Sequence, residues 1–230
     1  AATGVEVRLT HADLAGVSTN ADDLDILNID LKADTASDTV TVKIGGTGGN
    51  MQLGNFEPDA RYETVTVVST GSSANTIASI DTAVNNMIFS GAGALTITTT
   101  NALTGVADFS AMTGVATVTT GTAALSVIGG AGDDDLTSGV VASATQVISG
   151  GAGDDTITAG IITTAGVLTI SGNAGSDTIT VAAMTGAITA SSATINGGTG
   201  VDFITLDANA GNVVDVISTA TTVADADEIT

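Results

Sequence analysis

The chain has 230 residues and a formal charge of −21 at pH 7, from 25 acidic against 4 basic side chains. Nucleic acid is excluded as a partner, because phosphate binding needs basic surface, and the absence of cysteine excludes a disulfide framework. Hydrophobic residues reach 43% but aromatics only 2%, with no tryptophan; a core sufficient for one or two domains is therefore expected to be thin and built from Val, Ile, Leu and Ala.

No stretch approaches the roughly 18 consecutive apolar residues of a membrane span. The start, Ala1-Ala2-Thr3-Gly4, has neither an initiator Met nor a signal-like apolar segment and reads as part of a longer protein. Residues 1–61 form an N-terminal strand region, either separate from the solenoid beyond it or continuous with it. Apolar and polar residues alternate there in Val5–Leu9, Leu24–Leu31 and Thr39–Ile44, the period of a strand with one face inward. Gly45-Gly46-Thr47-Gly48-Gly49-Asn50 resembles a degenerate metal loop with Asn50 at the acidic position, although a plain glycine turn explains it better. Asp22, Asp23 and Asp25 read as a solvated turn ahead of a strand. His11, the only histidine, lies near Asp13 and reads as a surface residue rather than part of a triad.

Residues 62–128 continue as short Thr-rich strands at Thr64–Val68, Ala94–Thr98, Val115–Thr119 and Leu125–Ile128, separated by Gly, Ser or Asn turns. Only Ser79–Asn86 passes for a helical turn. Coil length matches that of the region beyond, as expected for successive rungs of one solenoid.

Residues 129–230 carry the informative pattern. Four nonapeptides begin at Gly129 (GGAGDDDLT), Gly150 (GGAGDDTIT), Gly172 (GNAGSDTIT) and Gly197 (GGTGVDFIT); three match G-G-x-G-x-D-x-U-x, and the one at Gly172 departs only at Asn173. Glycines permit positive φ and bring carbonyl oxygens close together, which suits a hard cation taking six to eight oxygen ligands. The sixth residue, aspartate, adds charge, and the apolar eighth begins a strand with alternate side chains inward. One such segment is equally an ordinary Gly/Asp turn; four within 77 residues are not.

All basic residues, Arg8, Lys32, Lys43 and Arg61, precede residue 62, whereas Tyr62 to Thr230 holds 15 acids and no cation. Seven of those acids lie in or beside the loops: Asp133, Asp134, Asp135, Asp154, Asp155, Asp177 and Asp202. If the loops stack one strand spacing apart, about 4.8 Å, each neighbouring pair of sixth-position aspartates repels by about 0.9 kcal/mol in water and about 3.5 kcal/mol at an effective dielectric near 20. Over the stack this is about 3–10 kcal/mol, comparable with a domain's whole stability of about 5–15. A divalent ion turns that repulsion into attraction, so the stack is expected to be weak or absent without metal. Loop starts 21, 22 and 25 residues apart place one loop per coil, with segments such as Gly139–Thr145 turning the opposite edge without the motif. The expected fold is all-β, a right-handed parallel β-solenoid with glycine-rich calcium loops on one edge, holding a single file of about three or more Ca²⁺ ions between stacked loops.

Gly129–Thr205 resembles the calcium-binding β-roll of RTX proteins, although the tandem β-roll repeats its motif every nine residues and here it recurs once per coil. The Thr-rich strands before it, especially Tyr62–Val67 and Asn75-Thr76-Ile77, resemble the repetitive body of RTX-type bacterial surface-layer proteins. That resemblance implies type I secretion, folding outside the cell on meeting calcium, and assembly into a two-dimensional coat. It implies as ligands the aspartates Asp134, Asp155, Asp177 and Asp202, with Asp133 and Asp154 beside them, and carbonyls of Gly130, Gly132, Gly151, Gly153, Gly175, Gly198 and Gly200. A Cβ at Asn173 is expected to restrict the third loop. Ala224–Thr230 resembles the start of the closing segment after RTX repeats, which implies truncation there.

The functional expectation is a non-enzymatic structural subunit of a calcium-dependent, self-assembling surface layer, extracellular on a bacterial cell. Its partners are copies of itself and cell-surface polysaccharide bound through a domain outside this sequence. The alternative is a calcium-rigidified stalk or binding module of a secreted adhesin or exoenzyme. Paired carboxylates for glycoside chemistry are disfavoured, because no aromatic sugar platform accompanies them.

Overall fold

The computed structural model describes residues 5–8, 23–30, 34, 37–46, 51–100, 103, 105–121, 126–142, 145–160, 162–163, 167–182, 192–206, 213–217 and 228–229. His11, Asp13, Asp22, residues 47–50 and residues 224–227 lie outside this set. Among the described residues there is no helix, and every strand pairing is parallel.

The chain alternates between two ten-stranded sheets. The first contains Val5–Arg8, Thr39–Ile44, Thr64–Ser69, Asn86–Gly91, Val106–Met112, Ser126–Ile128, Thr145–Ala152, Val167–Ala174, Ser192–Thr199 and Val213–Ile217. The second contains Asp23–Ile29, Gln52–Pro58, Asn75–Ile80, Leu95–Ile97, Ala116–Thr119, Asp135–Thr137, Thr156–Ala159, Thr178–Val181, Phe203–Leu206 and Glu228–Ile229. Spatial order follows chain order in both, so each coil lies on the one before: a parallel β-solenoid. Both sheets run through residues 61/62 and 128/129 without a break in the ladder. On the return path Val141–Ala142 pairs with Ile162–Thr163 in a small third sheet.

Apart from a register shift between Ile88 and Ser90, where Ile88 pairs with Asp108 and Ser90 with Ala111, each position stacks on its equivalents. Val118, Leu136, Ile157, Ile179 and Ile204 form one continuous inward column in the second sheet, and Val127, Ile148, Ile170 and Ile195 form its counterpart in the first. All are buried. The eighth residue of each nonapeptide is thus the core residue that its alternation demands.

The core departs from the expected composition in the N-terminal half. Phe56, Phe89 and Phe109 are fully buried with Met87 and Met112, and the Phe89 and Phe109 rings stack at 4.2 Å, 7° from parallel. Few aromatics does not mean an aliphatic core throughout, because those present are gathered inside one stretch. Ser79–Asn86 is not a helical turn either. Ser79 and Ile80 complete a strand, with Ile80 bridged to Thr100, and Asn86 begins the next strand; pairing on both sides overrides the local pattern. Asp23 and Asp25, expected in a turn, belong to the strand Asp23–Ile29 for the same reason, since Asp23 already pairs with Gln52.

At the return corner, buried Thr100, Thr120 and Ser138 accept through their hydroxyls from the amides of Gly121, Gly139 and Gly160 in the following coil, at 3.3, 3.0 and 3.1 Å. In these coils the described hydrogen bonds across that corner are between neutral groups, while an earlier coil carries the Asp59–Arg61 ion pair on the same edge.

Replacing Phe109 with Ala removes both stack and burial and is expected to cost about 3–5 kcal/mol in denaturant unfolding with calcium present. Val147→Ala, at a side chain 39% exposed, is expected to cost under about 1 kcal/mol; equal losses in the two variants contradict the assigned core.

Candidate metal centre at the loop edge

The four nonapeptide loops stack on the corner that leads from the first sheet into the second, opposite the return path. Two columns of glycine permit the stacking. Gly151 and Gly198 have φ of +117° and +111°, and a Cβ on them would lie 2.1 Å from the carbonyl oxygens of Gly130 and Asn173 in the preceding coil. Gly153, Gly175 and Gly200, also at positive φ, meet the preceding coil's Gly132, Gly153 and Gly175 carbonyls in the same way. Asn173 shares the column of Gly151 and Gly198 and adopts φ +76°. Asparagine tolerates that region better than other side chains with a Cβ, and here its amide donates to Ser149 Oγ at 2.8 Å. The third loop therefore keeps its turn. Gly130 and Gly132 of the first loop do not take positive φ.

Asp134, Asp155, Asp177 and Asp202 come together as one buried file, each only 1% exposed. One oxygen of each is held by a regular ladder: Oδ1 of Asp155, Asp177 and Asp202 accepts from the backbone N–H of Asp134, Asp155 and Asp177, at 2.8, 2.9 and 2.9 Å. Asp134 Oδ1 continues it by accepting from Ala116 N–H at 2.7 Å. The second oxygens differ. Asp134 Oδ2 accepts from Gly130 N–H at 2.7 Å within its own loop, whereas Asp155 Oδ2 and Asp177 Oδ2 are buried with no hydrogen-bond partner.

Those two oxygens face other oxygens. The point where a Cβ on Gly150 would sit lies 2.2 Å from Asp155 Oδ2 and 2.7 Å from Gly172 O; at Gly172 the distances are 2.1 Å to Asp177 Oδ2 and 2.2 Å to Gly197 O. Each carboxylate oxygen is thus within about 5 Å of a carbonyl oxygen in the next coil, a span that one calcium ion at about 2.3–2.6 Å from each can bridge. The first-position glycines therefore serve twice: they leave room for the aspartate, and Gly172 and Gly197 bring carbonyl oxygens to it. The sequence pattern directs attention to the second and fourth positions instead, yet the second-position Gly130 carbonyl already accepts from Ala152 N–H at 2.9 Å.

Asp133 and Asp154 are exposed on the outside of the corner, apart from the buried file. Their Oδ1 atoms accept from Asp154 N–H at 2.9 Å and Ser176 N–H at 2.7 Å, a second ladder running in the opposite sense. Among the described residues no three His, Cys, Asp or Glu side chains gather as a metal-holding group. A cation in the file would be held by one or two carboxylates plus carbonyls. This all-oxygen donor set fits calcium and gives no nitrogen or sulfur ligand for a transition metal.

Burial dominates the electrostatics. Desolvation, reinforced by neighbouring carboxylates, raises Asp155 from 3.8 to about 7 and Asp177 to about 6, despite the amide bonds that each accepts. Asp134 is raised by burial too, opposed by the Ala116 and Gly130 amides. A buried carboxylate with one oxygen unpartnered takes a proton or a cation.

No protein-family profile, curated protein or solved structure matches this chain.

The shifts fix a pH dependence for the metal-free protein. Because the folded values lie above the unfolded one, the protonated file contributes fully below about pH 4 and its contribution is lost as pH rises through 6 and 7. In chelator the melting temperature is expected to fall between pH 5 and 8; with calcium the fall is expected to be suppressed above pH 6. A chelated protein that gains stability over that range contradicts the assignment.

Proposed function

We propose that the protein is a calcium-stabilised structural subunit of an extracellular bacterial surface layer. The observation that carries the calcium part is the pair of buried, unpartnered carboxylate oxygens, Asp155 Oδ2 and Asp177 Oδ2, set beside carbonyl oxygens of the next coil. Calcium is abundant outside cells, and a file that needs it ties folding to export. Asp155, Asp177 and the carbonyls of Gly172 and Gly197 are the ligands we assign, with Asp202 continuing the file. The structural role is supported by the continuous solenoid, where one outward column of the second sheet reads Thr96, Thr117, Asp135, Thr156 and Thr178 in successive coils, small polar side chains broken by a single acid. Such a face offers a neighbouring copy many equivalent weak contacts. Export by type I secretion and attachment to surface polysaccharide belong to the same reading and rest on the RTX-like repeats alone.

Charge sets the order of events. At −21 the chain repels its copies over a Debye length of about 8–10 Å at ordinary salt. Ions in the loops reduce that charge, and further ions bridging surface carboxylates are needed where molecules touch.

Calcium is expected to restore β structure lost in chelator at residues 145–206, and magnesium is not, since it demands smaller octahedral sites. Identical melting curves in calcium and chelator contradict the metal assignment. In a calcium titration followed by circular dichroism and light scattering together, association is expected at higher calcium than folding. A protein that folds fully yet stays monomeric at high calcium and concentration favours a stalk or binding module over a lattice subunit.

A further inference from the structure

Among the described residues the same corner occurs once more, without an acid. Asn75 pairs with Leu95, and Leu95 pairs in turn with Ala116, whose amide donates to Asp134, so Asn75 lies in the column of the buried aspartates. The column therefore reads Asn75, Leu95, Ala116, Asp134, Asp155, Asp177 and Asp202 in successive coils. Asn75 is fully buried, and its Oδ1 accepts from Met51 N–H in the preceding coil at 2.9 Å, the bond that Asp155 Oδ1 makes with Asp134 N–H. Gly71 has φ +99°, as Gly151 has +117° in the second-position column. The segment Thr70–Ala78 thus occupies the corner as a fifth, divergent copy, with Thr70 and Ser73 in place of the first and fourth-position glycines and Asn75 in place of the acid.

The difference lies in the second terminal atom. Where Asp155 and Asp177 present an unpartnered oxygen, Asn75 presents Nδ2, which donates to Ser69 Oγ at 2.9 Å and to Thr70 O at 3.0 Å. An N–H group supplies a positive end, here to the first-position carbonyl of its own loop, without the cost of a buried charge. The two intervening coils place Leu95 and Ala116 in the column, both buried and uncharged. The first acid, Asp134, has both oxygens satisfied by amides, from Ala116 and Gly130.

We propose that Asn75 is a built-in substitute for the cation, and that the second terminal atom at this column decides how a corner closes: an Asn amide, or an Asp oxygen with an amide partner as at Asp134, closes it without metal, whereas the unpartnered oxygen of Asp155 or Asp177 needs the ion. The solenoid is then divided: coils up to Thr137 are complete without calcium, and those from Thr145 onward need it. The metal-free part presents its last coil, Ser126–Ile128 and Asp135–Thr137, as a ready edge on which the calcium-dependent coils add in order. This rests on the calcium reading above but concerns which corners use the ion.

The test is hydrogen exchange and calorimetric calcium counting on the full chain, comparing wild type with Asp155→Asn, Asp177→Asn and the double variant. In chelator, wild-type residues 51–121 are expected to stay protected while residues 145–206 exchange freely. Each single Asn variant is expected to bind one calcium fewer and to melt higher, not lower, in chelator. The double variant is expected to recover protection over 145–206 in chelator, and Asn75→Asp to lose it over 51–100. Loss of protection in both halves together on chelation, or Asn variants that melt lower than wild type in chelator, overturns the inference while leaving calcium binding intact. A wild-type chain that takes up no calcium at any concentration overturns the proposed function, and this inference with it.

Discussion

Parallel stacking in register forces every side chain to sit about 4.8 Å from its equivalents in the coils above and below, and the rest of the structure depends on which residues tolerate their own company. Aliphatic side chains do: the column from Val118 to Ile204 gains contact with each coil added. Hydroxyls do as well, since Thr100, Thr120 and Ser138 each accept from the next coil's amide. Carboxylates do so only in part. Each oxygen that accepts from a neighbouring amide is satisfied, but the second oxygen meets more oxygen unless something positive lies between.

The two corners of the coil therefore differ in kind. The return corner is bridged by the hydroxyls of Thr100, Thr120 and Ser138, with the Asp59–Arg61 ion pair in an earlier coil. The loop corner is closed three ways along one column, by an amide at Asn75, by apolar side chains at Leu95 and Ala116, and by carboxylates from Asp134 onward. The aromatic core lies beside the first two, where Phe56, Phe89 and Phe109 are fully buried. On the calcium reading proposed above, stability and metal dependence are separated along the solenoid axis rather than mixed within each coil.

Much of this was legible in the sequence. The nonapeptide spacing located the corner on which the loops stack, and the apolar eighth residue named the inward column, because both follow from repetition with a fixed strand period. Less visible was anything that depends on which atom meets which. The strands Asn86–Gly91 and Val106–Met112 hide in sequences where Asn, Ser, Asp and Ala interrupt the alternation. Asn75 lacks the paired glycines that flag the other corners; its signal is the Gly71 four residues before it and the Thr76-Ile77 after it. Nor does the pattern G-G-x-G-x-D separate Asp134, whose Oδ2 has an amide partner, from Asp155, whose Oδ2 has none. The paired acids in the first two loops also look equivalent in sequence, yet Asp133 and Asp154 face solvent while Asp134 and Asp155 face the corner.

The central claim is that cations lie in the buried file, between a carboxylate oxygen of one coil and a carbonyl oxygen of the next. Anomalous diffraction from crystals grown with calcium locates such ions directly. The account predicts difference peaks beside Asp155 and Gly172 and beside Asp177 and Gly197, on one edge only, with none at the Asn75 corner. Peaks confined to the exposed Asp133 and Asp154 column, or no peaks along that edge at all, would contradict it.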